Sequence, residues 1–465
     1  MRTNRRGWLK GVAAGAIAGS AYRGAIGDDS AVASGGLKSD RAGRFEGSAP
    51  LLIKSFRVTP IALPDPPILA ASGCHGPYFL RTIVEIETDG GFTGVGEIPG
   101  SERNVLELER SLPRLIKKNA FAYRSFKPLI GSKNPAIYSA IETACLDACG
   151  QAKGLRVCEL LGGPVRREIE LAAYLFYRYA SDDPRILDDR RIVDDRGRGE
   201  KALDDWGEVR TPEAMAKEAE RFKKQWGFNV FKLKGGVLRP EVEVETLRAI
   251  HAKLGPKAQL RIDPNARWRV ETAIKFGKSM RDLPMEYYED PVQGQEGMAE
   301  VRREVGLPTS TNMCVTKFEH VPEALRVKPI DVVLCDHHYW GGITACVELG
   351  RVAEFAGWRV GQHSNSHTSV SFAAMLHVAA LIPNLTSPSD THIPWLPERF
   401  DIVEGSRIKI ENGKASLPES AGLGVVIDRD KLARAHEIYV KCGMKNRDDG
   451  SLMRKMEPGW KADLF

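Results

Sequence analysis

Six short apolar runs, spaced roughly 25 residues apart, each end in side chains that can move protons or hold a cation. They are VFKLKGG (Val230 to Gly236), LRIDPNARW (Leu260 to Trp268), EYYEDP (Glu286 to Pro291), TSTNM (Thr309 to Met313), VVLCDHH (Val332 to His338) and RVGQHSNSH (Arg359 to His367). In the first run Lys232 and Lys234 lie two apart, which on a strand puts both on one face. On an exposed edge such lysines would only snorkel into solvent; facing a closed interior they should depress each other's pKa, as a general base requires. Asp263, Glu289 and Asn312 end the next three runs and offer only oxygen, a donor set for a hard cation such as Mg²⁺ rather than zinc. One strand-end Asp alone would read as a helix N-cap, but three oxygen donors in succession read as ligation. Asp336 and His363 end the last two runs, and a carboxylate behind an imidazole fixes its tautomer and raises its basicity. Grouped round one pocket, these residues suit removal of a proton alpha to a carboxylate. The metal and Lys232 would stabilise the enediolate, and Lys234 and His363 would flank it on opposite faces.

A spacing of this length accommodates one strand, one helix and two turns. Polar residues at the C-terminal tip of each successive parallel strand are how a β/α barrel builds a single active site. Between the tips, helical patterns run over Pro212–Trp226, Glu241–Lys253 and Ala273–Arg281, and the rhythm continues to a last strand at Leu385–Ser387. Counted from a first strand at Glu168–Tyr177, about eight strands fit, which closes a barrel. The stretch Ser181–Arg210, full of Asp and Arg, reads as a solvated excursion. Ahead of the barrel the pattern is different. Ile53–Ala62, Tyr78–Thr88 and Phe92–Glu97 read as strands with a turn at Asp89-Gly90-Gly91, followed by helices over Arg103–Lys118 and Pro135–Lys153. The expected organisation is an α+β capping domain over residues 51–165, a barrel over 166–396, and a C-terminal segment, 397–465, that packs back on the cap.

The chain has 465 residues, 42% hydrophobic and 28% charged, which are the proportions of a globular enzyme with more than one domain. Its net charge of +6 is spread among interleaved acids, so a nucleic-acid surface is not expected. Eight cysteines without CxxC pairing, mostly in apolar runs, read as buried free thiols. At the amino terminus Asn4-Arg5-Arg6-Gly7-Trp8-Leu9-Lys10 precedes a weakly apolar, Gly- and Ala-rich stretch from Gly11 to Ala21. This resembles a twin-arginine export signal, taken as residues 1–27, followed by a disordered spacer over 28–50. The stretch is too short and Gly-rich to span a bilayer well, so no membrane span is expected in a mature protein. A periplasmic location follows if the signal is used and a cytoplasmic one if it is not.

Several of these segments together resemble the enolase superfamily, in its mandelate racemase group, and more closely the glucarate dehydratases. They are Ser72-Gly73-Cys74-His75-Gly76-Pro77, Gly94-Val95-Gly96-Glu97, Tyr174-Leu175-Phe176-Tyr177, Phe231-Lys232-Leu233-Lys234-Gly235-Gly236-Val237, Thr311-Asn312-Met313 and His363-Ser364-Asn365-Ser366-His367. The resemblance runs from about Ile53 to the carboxyl end. It implies an α/β fold, a modified (β/α)7β barrel with an α+β cap. It makes Asp263, Glu289 and Asn312 the Mg²⁺ ligands, Lys234 one base, and His363 with Asp336 the other, with Lys232 and Asn265 assisting at the enolate and carboxylate oxygens. Substrate contacts are implied for His75, Ser139, Tyr174, Phe176, Ser364, Asn365, His392 and Arg447. The implied reaction is loss of water from a small acid sugar, and a homo-oligomer is implied too. In the family an Asn usually stands where this chain has Ala70 and a Thr where it has Ser139, both on the side of the substrate's distal end. Two other readings share the features: a racemase or epimerase of the same group, and a non-catalytic exported binder of sugar acids, which would not need Lys234 and His363.

Overall fold

In the computed structural model residues 49–187 and 207–465 are described. The expected export signal, most of the spacer, and the middle of the Ser181–Arg210 excursion lie outside the described residues. The first strands are β1 (Ile53–Pro64), the short β2 (Leu69–Ala70) and β3 (Gly73–Cys74), β4 (Tyr78–Thr88) and β5 (Thr93–Pro99). β1, β4 and β5 form an antiparallel sheet in that order, with the expected turn joining β4 to β5 through Gly91 at φ 80°. The helix Pro135–Lys153 lies directly on β5, which explains Gly94 and Gly96: a Cβ on either would collide with the carbonyls of Ala144 and Ala140. Asp147 fastens the contact, accepting from Val95 N and Leu423 N at 2.8 Å each, and burial pushes its carboxyl up to about 6. Val84, Ile86, Ile98, Leu108, Phe126, Ile137 and Ile141 form this layer's core. The helix expected over Arg103–Lys118 ends at Ser111 and continues only as a 3₁₀ turn, because Pro113 lacks the N–H that the next α-turn needs.

Eight parallel strands follow in chain order: β6 (Glu168–Phe176), β7 (Val230–Lys234), β8 (Gln259–Asp263), β9 (Met285–Glu289), β10 (Thr309–Thr311), β11 (Val332–Cys335), β12 (Arg359–Gln362) and β13 (Ser389–Asp390). Among the described residues one main helix follows each of the first seven: Pro212–Trp226, Pro240–Leu254, Val270–Ser279, Gln295–Val305, Val321–Val327, Ile343–Ala356 and Ser369–Leu381. The result is a (β/α)7β barrel beneath an antiparallel cap. β13 pairs with β6, and Leu385 bridges Val360 of β12, so the sheet returns to its first strand. The last strand therefore differs from the one expected at Leu385–Ser387: only Leu385 makes a bridge there, and the pairing resumes beyond Pro388.

Register fixes which side chains share a level. Phe176, Lys234 and Asp263 are neighbours across β6, β7 and β8, and Tyr174, Lys232 and Arg261 lie two residues below them. Beyond the barrel, β14 (Lys414–Ser416) pairs antiparallel with the start of β6. The helix Arg429–Cys442 places Ile438 and Cys442, with Met444, against Ala62, Tyr78 and Leu80 of the cap. The next helix, Asp449–Met456, passes so close to β3 that a Cβ on Gly73 (φ 129°) would meet the Asp449 carbonyl. All eight cysteines are free, and no helix among the described residues is long and apolar enough to cross a membrane.

Candidate active site

A cavity of about 1630 Å³ opens between the barrel's strand tips and the cap. Lys234, Asn265, Asn312 and His363 line it from the barrel, as do Tyr174, Phe176, Ser364, Asn365 and His392; His75 and Arg447 line it from the cap side. Ser139 does not. Its neighbour Tyr138 reaches the cavity, whereas Ser139 is fully buried one helical step away, its Oγ without a hydrogen-bond partner among the described residues. Its expected contact with substrate is therefore not what this arrangement offers.

Beneath the cavity floor the alternation of β7 sends both lysines inward. Lys232 Nζ lies 2.6 Å from Glu289, 2.7 Å from Asp390 and 3.6 Å from Asp263. Lys234 Nζ donates to Asp263 at 2.5 Å, to Asn265 Oδ1 at 3.0 Å and to the Tyr174 hydroxyl at 3.2 Å. The mutual depression expected of the lysine pair is outweighed: Lys232 does act to lower Lys234, but the net shift of both is upward. Burial acts to lower both ammoniums, but Asp390 and Glu289 hold Lys232 well above the ordinary lysine value, and Asp263 raises Lys234. Carboxylates in direct contact outweigh the second ammonium.

Asp263 feels burial first, which would raise it, yet Lys234 and Lys232 bring its carboxyl down to about 2. Glu289 moves the other way, pushed well up by burial and by Asp263. Its Oε1 is buried and has no hydrogen-bond partner among the described residues. A carboxyl oxygen left without a partner there, beside the Asp263 carboxylate, fits a hard cation, whose charge would favour the ionised form of Glu289. The β10 tip is set by Asp290, which accepts from Thr311 Oγ1 at 2.5 Å and Asn312 N at 2.8 Å; burial, then Asp263, raises its carboxyl to about 7. Asn265, Ala266 and Asp290 take positive φ (51°, 58° and 34°), conformations that cost energy in non-glycine residues and cluster at functional sites.

On the facing strand tips, Asp336 Oδ2 meets His363 Nδ1 at 2.9 Å. Asp336 also caps the short helix His337–Trp340, so orienting His363 and capping a helix coexist in one strand-end Asp. The His363 ring stacks on Tyr339 with centroids 5.6 Å apart, and Tyr339 Oη accepts from Asn365 at 3.0 Å. The cap-side wall comes from distant parts of the chain. Arg447 donates twice to Asp449 at 2.6 Å and reaches His75 Nε2, while Ser72 Oγ donates to Asp449 at 2.6 Å. Phe176, His392 and Trp395 form an aromatic cluster beside Tyr174, and burial lowers His392 well below the ordinary histidine value.

Sequence reasoning passed over several of these groups. Asp390, at the tip of β13, ties Lys232 to Arg261 (3.0 Å), which continues to Glu286 (2.7 Å). Its signal was available: an eighth strand end carrying an acid. Glu243, which holds the loop after Lys234 by accepting from Gly236 N, Val237 N and Leu238 N at 2.8–3.0 Å, had none, since it sits within a helix. Asp449 gave none either, because Ser72, which donates to it, lies 377 residues away in sequence.

A profile of the family described as "Enolase C-terminal domain-like" matches residues 214–431. A probable glucarate dehydratase of Streptomyces coelicolor is 38% identical over 438 residues, covering 88% of this chain and 97% of that one. An arabinonate dehydratase of Saccharolobus solfataricus is 27% identical, covering 74% and 87%. Among solved structures, an enolase from Thermobispora bispora complexed with magnesium and formate superposes with a TM-score of 0.81 at 38% identity, covering 89% of this chain and 99% of that one. One from Pseudomonas fluorescens with bound magnesium, potassium and tartrate gives 0.82 at 36% identity over the same shares. The chain belongs to the enolase superfamily and is of the glucarate dehydratase-like kind. Its relatives named as dehydratases support a place among the sugar-acid dehydratases of that superfamily.

Proposed function

We propose that the protein is an Mg²⁺-dependent dehydratase of a small acid sugar, a glucarate-like aldarate or an aldonate, that takes the proton alpha to the carboxylate and expels water. The observation that carries this reading is the convergence of Lys234, Asn265, Asn312 and His363 on one cavity, with His363 backed by Asp336 at 2.9 Å. Asp263, Glu289 and Asn312 would hold the ion, which when bound supplies positive charge to the carboxylate oxygens as the alpha carbon is deprotonated. Lys232, buried and charged, faces the same oxygens from below, and Asn265 can donate through its amide nitrogen. For Lys234 to accept a proton its ion pair with Asp263 must part. Asp263 engaged as a ligand would no longer hold the Lys234 ammonium, whose extra proton would pass to solvent in the cavity, while Tyr174 and Asn265 keep Nζ in place. His363, its Nδ1 turned to Asp336, presents Nε2, which when neutral takes the opposite alpha proton and when protonated gives its proton to the departing hydroxide.

Bases on both faces would also serve epimerisation, so the test must separate the outcomes. Incubation with Mg²⁺ and a panel of aldonates and aldarates is expected to yield a 2-keto-3-deoxy acid. An inverted carbon without keto acid would replace dehydration by epimerisation, and no reaction with any acid sugar would sink the enzyme reading. The proposal extends to export through a twin-arginine signal and to a homo-oligomer, on the resemblance described above. Export is checked by the presence of the full chain's product in a periplasmic fraction, and assembly by its mass in solution.

A further inference from the structure

We propose that His338 is a positioning residue that couples the cap sheet to the Asp336–His363 dyad. Asp336 Oδ1 accepts from the His338 backbone N at 2.8 Å and lies 3.0 Å from its ring Nδ1, which leaves Oδ2 for His363 Nδ1 at 2.9 Å. An ionised carboxylate only accepts, so both imidazoles must carry their proton on Nδ1. His363 is thereby fixed in the tautomer whose Nε2 is free, and the carboxylate cannot rotate away because His338 grips its other oxygen twice.

The far side of the His338 ring is held by the cap. Its Nε2, an acceptor once Nδ1 carries the proton, lies 3.3 Å from Arg81 Nη2 of β4 and 3.2 Å from Ser371 Oγ, both able to donate to it, with the backbone of Glu97 in β5 alongside. Arg81 and Glu97 pair at 2.6 Å, and the Glu97 carboxylate accepts from Thr368 Oγ1 at 2.6 Å, Ser371 N at 2.8 Å and Thr368 N at 3.0 Å. All of these side chains are buried. Cap and barrel thus meet in one polar chain that ends on the dyad, and the cap's seating sets the direction in which His363 points. Asp336, His337 and His338 also bring ligand atoms within 4.8 Å of one another, as a metal site would. The Arg81 guanidinium 3.3 Å away opposes a cation there, and Asp336 and His338 already have partners.

The inference rests on reading His363 as a base, but its first readout needs no activity. In the full-length protein with ¹⁵N-labelled histidine, the His363 ring is expected to show a single Nδ1–H tautomer. His338→Phe should turn this into a mixture, and His338→Asn, which keeps a donor near ring Nδ1, should restore it. Arg81, Glu97, Asp336, His337 and His367 are the other charged or titratable groups around His338, and none is altered by either substitution. With an acid sugar that the wild type turns over, His338→Phe should lose about 10–100-fold in kcat with KM within a few-fold, and His338→Asn should recover most of it. A folded His338→Phe protein with an unchanged His363 tautomer overturns the proposal. If that variant does not fold, Arg81→Lys, which keeps the charge but withdraws Nη2, is read by the same two measurements, and unchanged values there also overturn it. A wild type inactive on every acid sugar would count against the proposed function while leaving the tautomer test standing.

Discussion

The floor of the cavity and its cap-side wall are built on opposite principles. On the floor, Lys232, Lys234, Asp263, Glu289 and Asp390 come from tips of a single parallel sheet, fully or almost fully buried and within 2.5–3.6 Å of one another along the lysines. In the wall, His75, Ser72, Arg447 and Asp449 join segments more than 370 residues apart in sequence. The floor concentrates charge that must be balanced in place, so it tolerates little change. The wall arranges polar groups round a more open space, where chemistry can be kept while the substrate varies. Ala70, where the family resemblance leads to the expectation of an Asn, lines the cavity on that side.

The largest contrast should come from Glu289→Gln. In wild-type protein, added Mg²⁺ is expected to raise the melting temperature, because an ion that binds only the folded form stabilises it by RT ln(1 + [L]/Kd). In the variant that rise should vanish at millimolar Mg²⁺. An unchanged rise would move the metal away from the floor. In the wall, Asp449→Asn should act more gently. With one of Arg447's two 2.6 Å contacts withdrawn, KM for an acid sugar should rise by about tenfold or less and kcat stay within a few-fold. A kcat loss as large as that of a floor variant would erase the distinction between the two regions.

The smallest effect concerns the buried acid behind the floor. Burial raises Glu243 to about 7, so its proton is bound more tightly in the folded state than in the unfolded one. That favours the fold at acid pH and is lost as pH rises from the ordinary carboxylate value of about 4.3 toward 7, by at most about 4 kcal/mol. Glu142 and Asp290, also raised to about 7, act in the same direction. Urea midpoints of the metal-free protein at pH 5 and pH 7 should therefore differ less in Glu243→Gln than in wild type. An equal difference would mean that the Glu243 proton does not contribute.

How legible each region was follows from the same contrast. A strand has period two and a β/α unit a nearly constant length, so the residues at successive tips can be read from spacing alone, and Lys234, Asp263, Glu289, Asn312, Asp336 and His363 all fall where that rhythm puts them. The electrostatic consequence was not legible. The two lysines predict mutual depression, whereas Asp390, which ends β13 beyond a break at Pro388, joins Glu289 in raising Lys232. The wall depends on tertiary contacts that no local pattern encodes. Ser139 shows the limit on a helix, where one step of about 100° separates the residue that lines the cavity from the one that is buried.

In the proposed reaction Lys234 and His363 address one alpha carbon from opposite faces. The most direct measurement follows deuterium entering the alpha position of a turned-over acid sugar, or of a slow non-eliminating analogue, in D₂O with Mg²⁺, for wild type, Lys234→Ala and His363→Ala. Each variant should lose exchange of one configuration by about 10²–10⁴-fold while retaining the other. Full exchange of both configurations in either variant would contradict it.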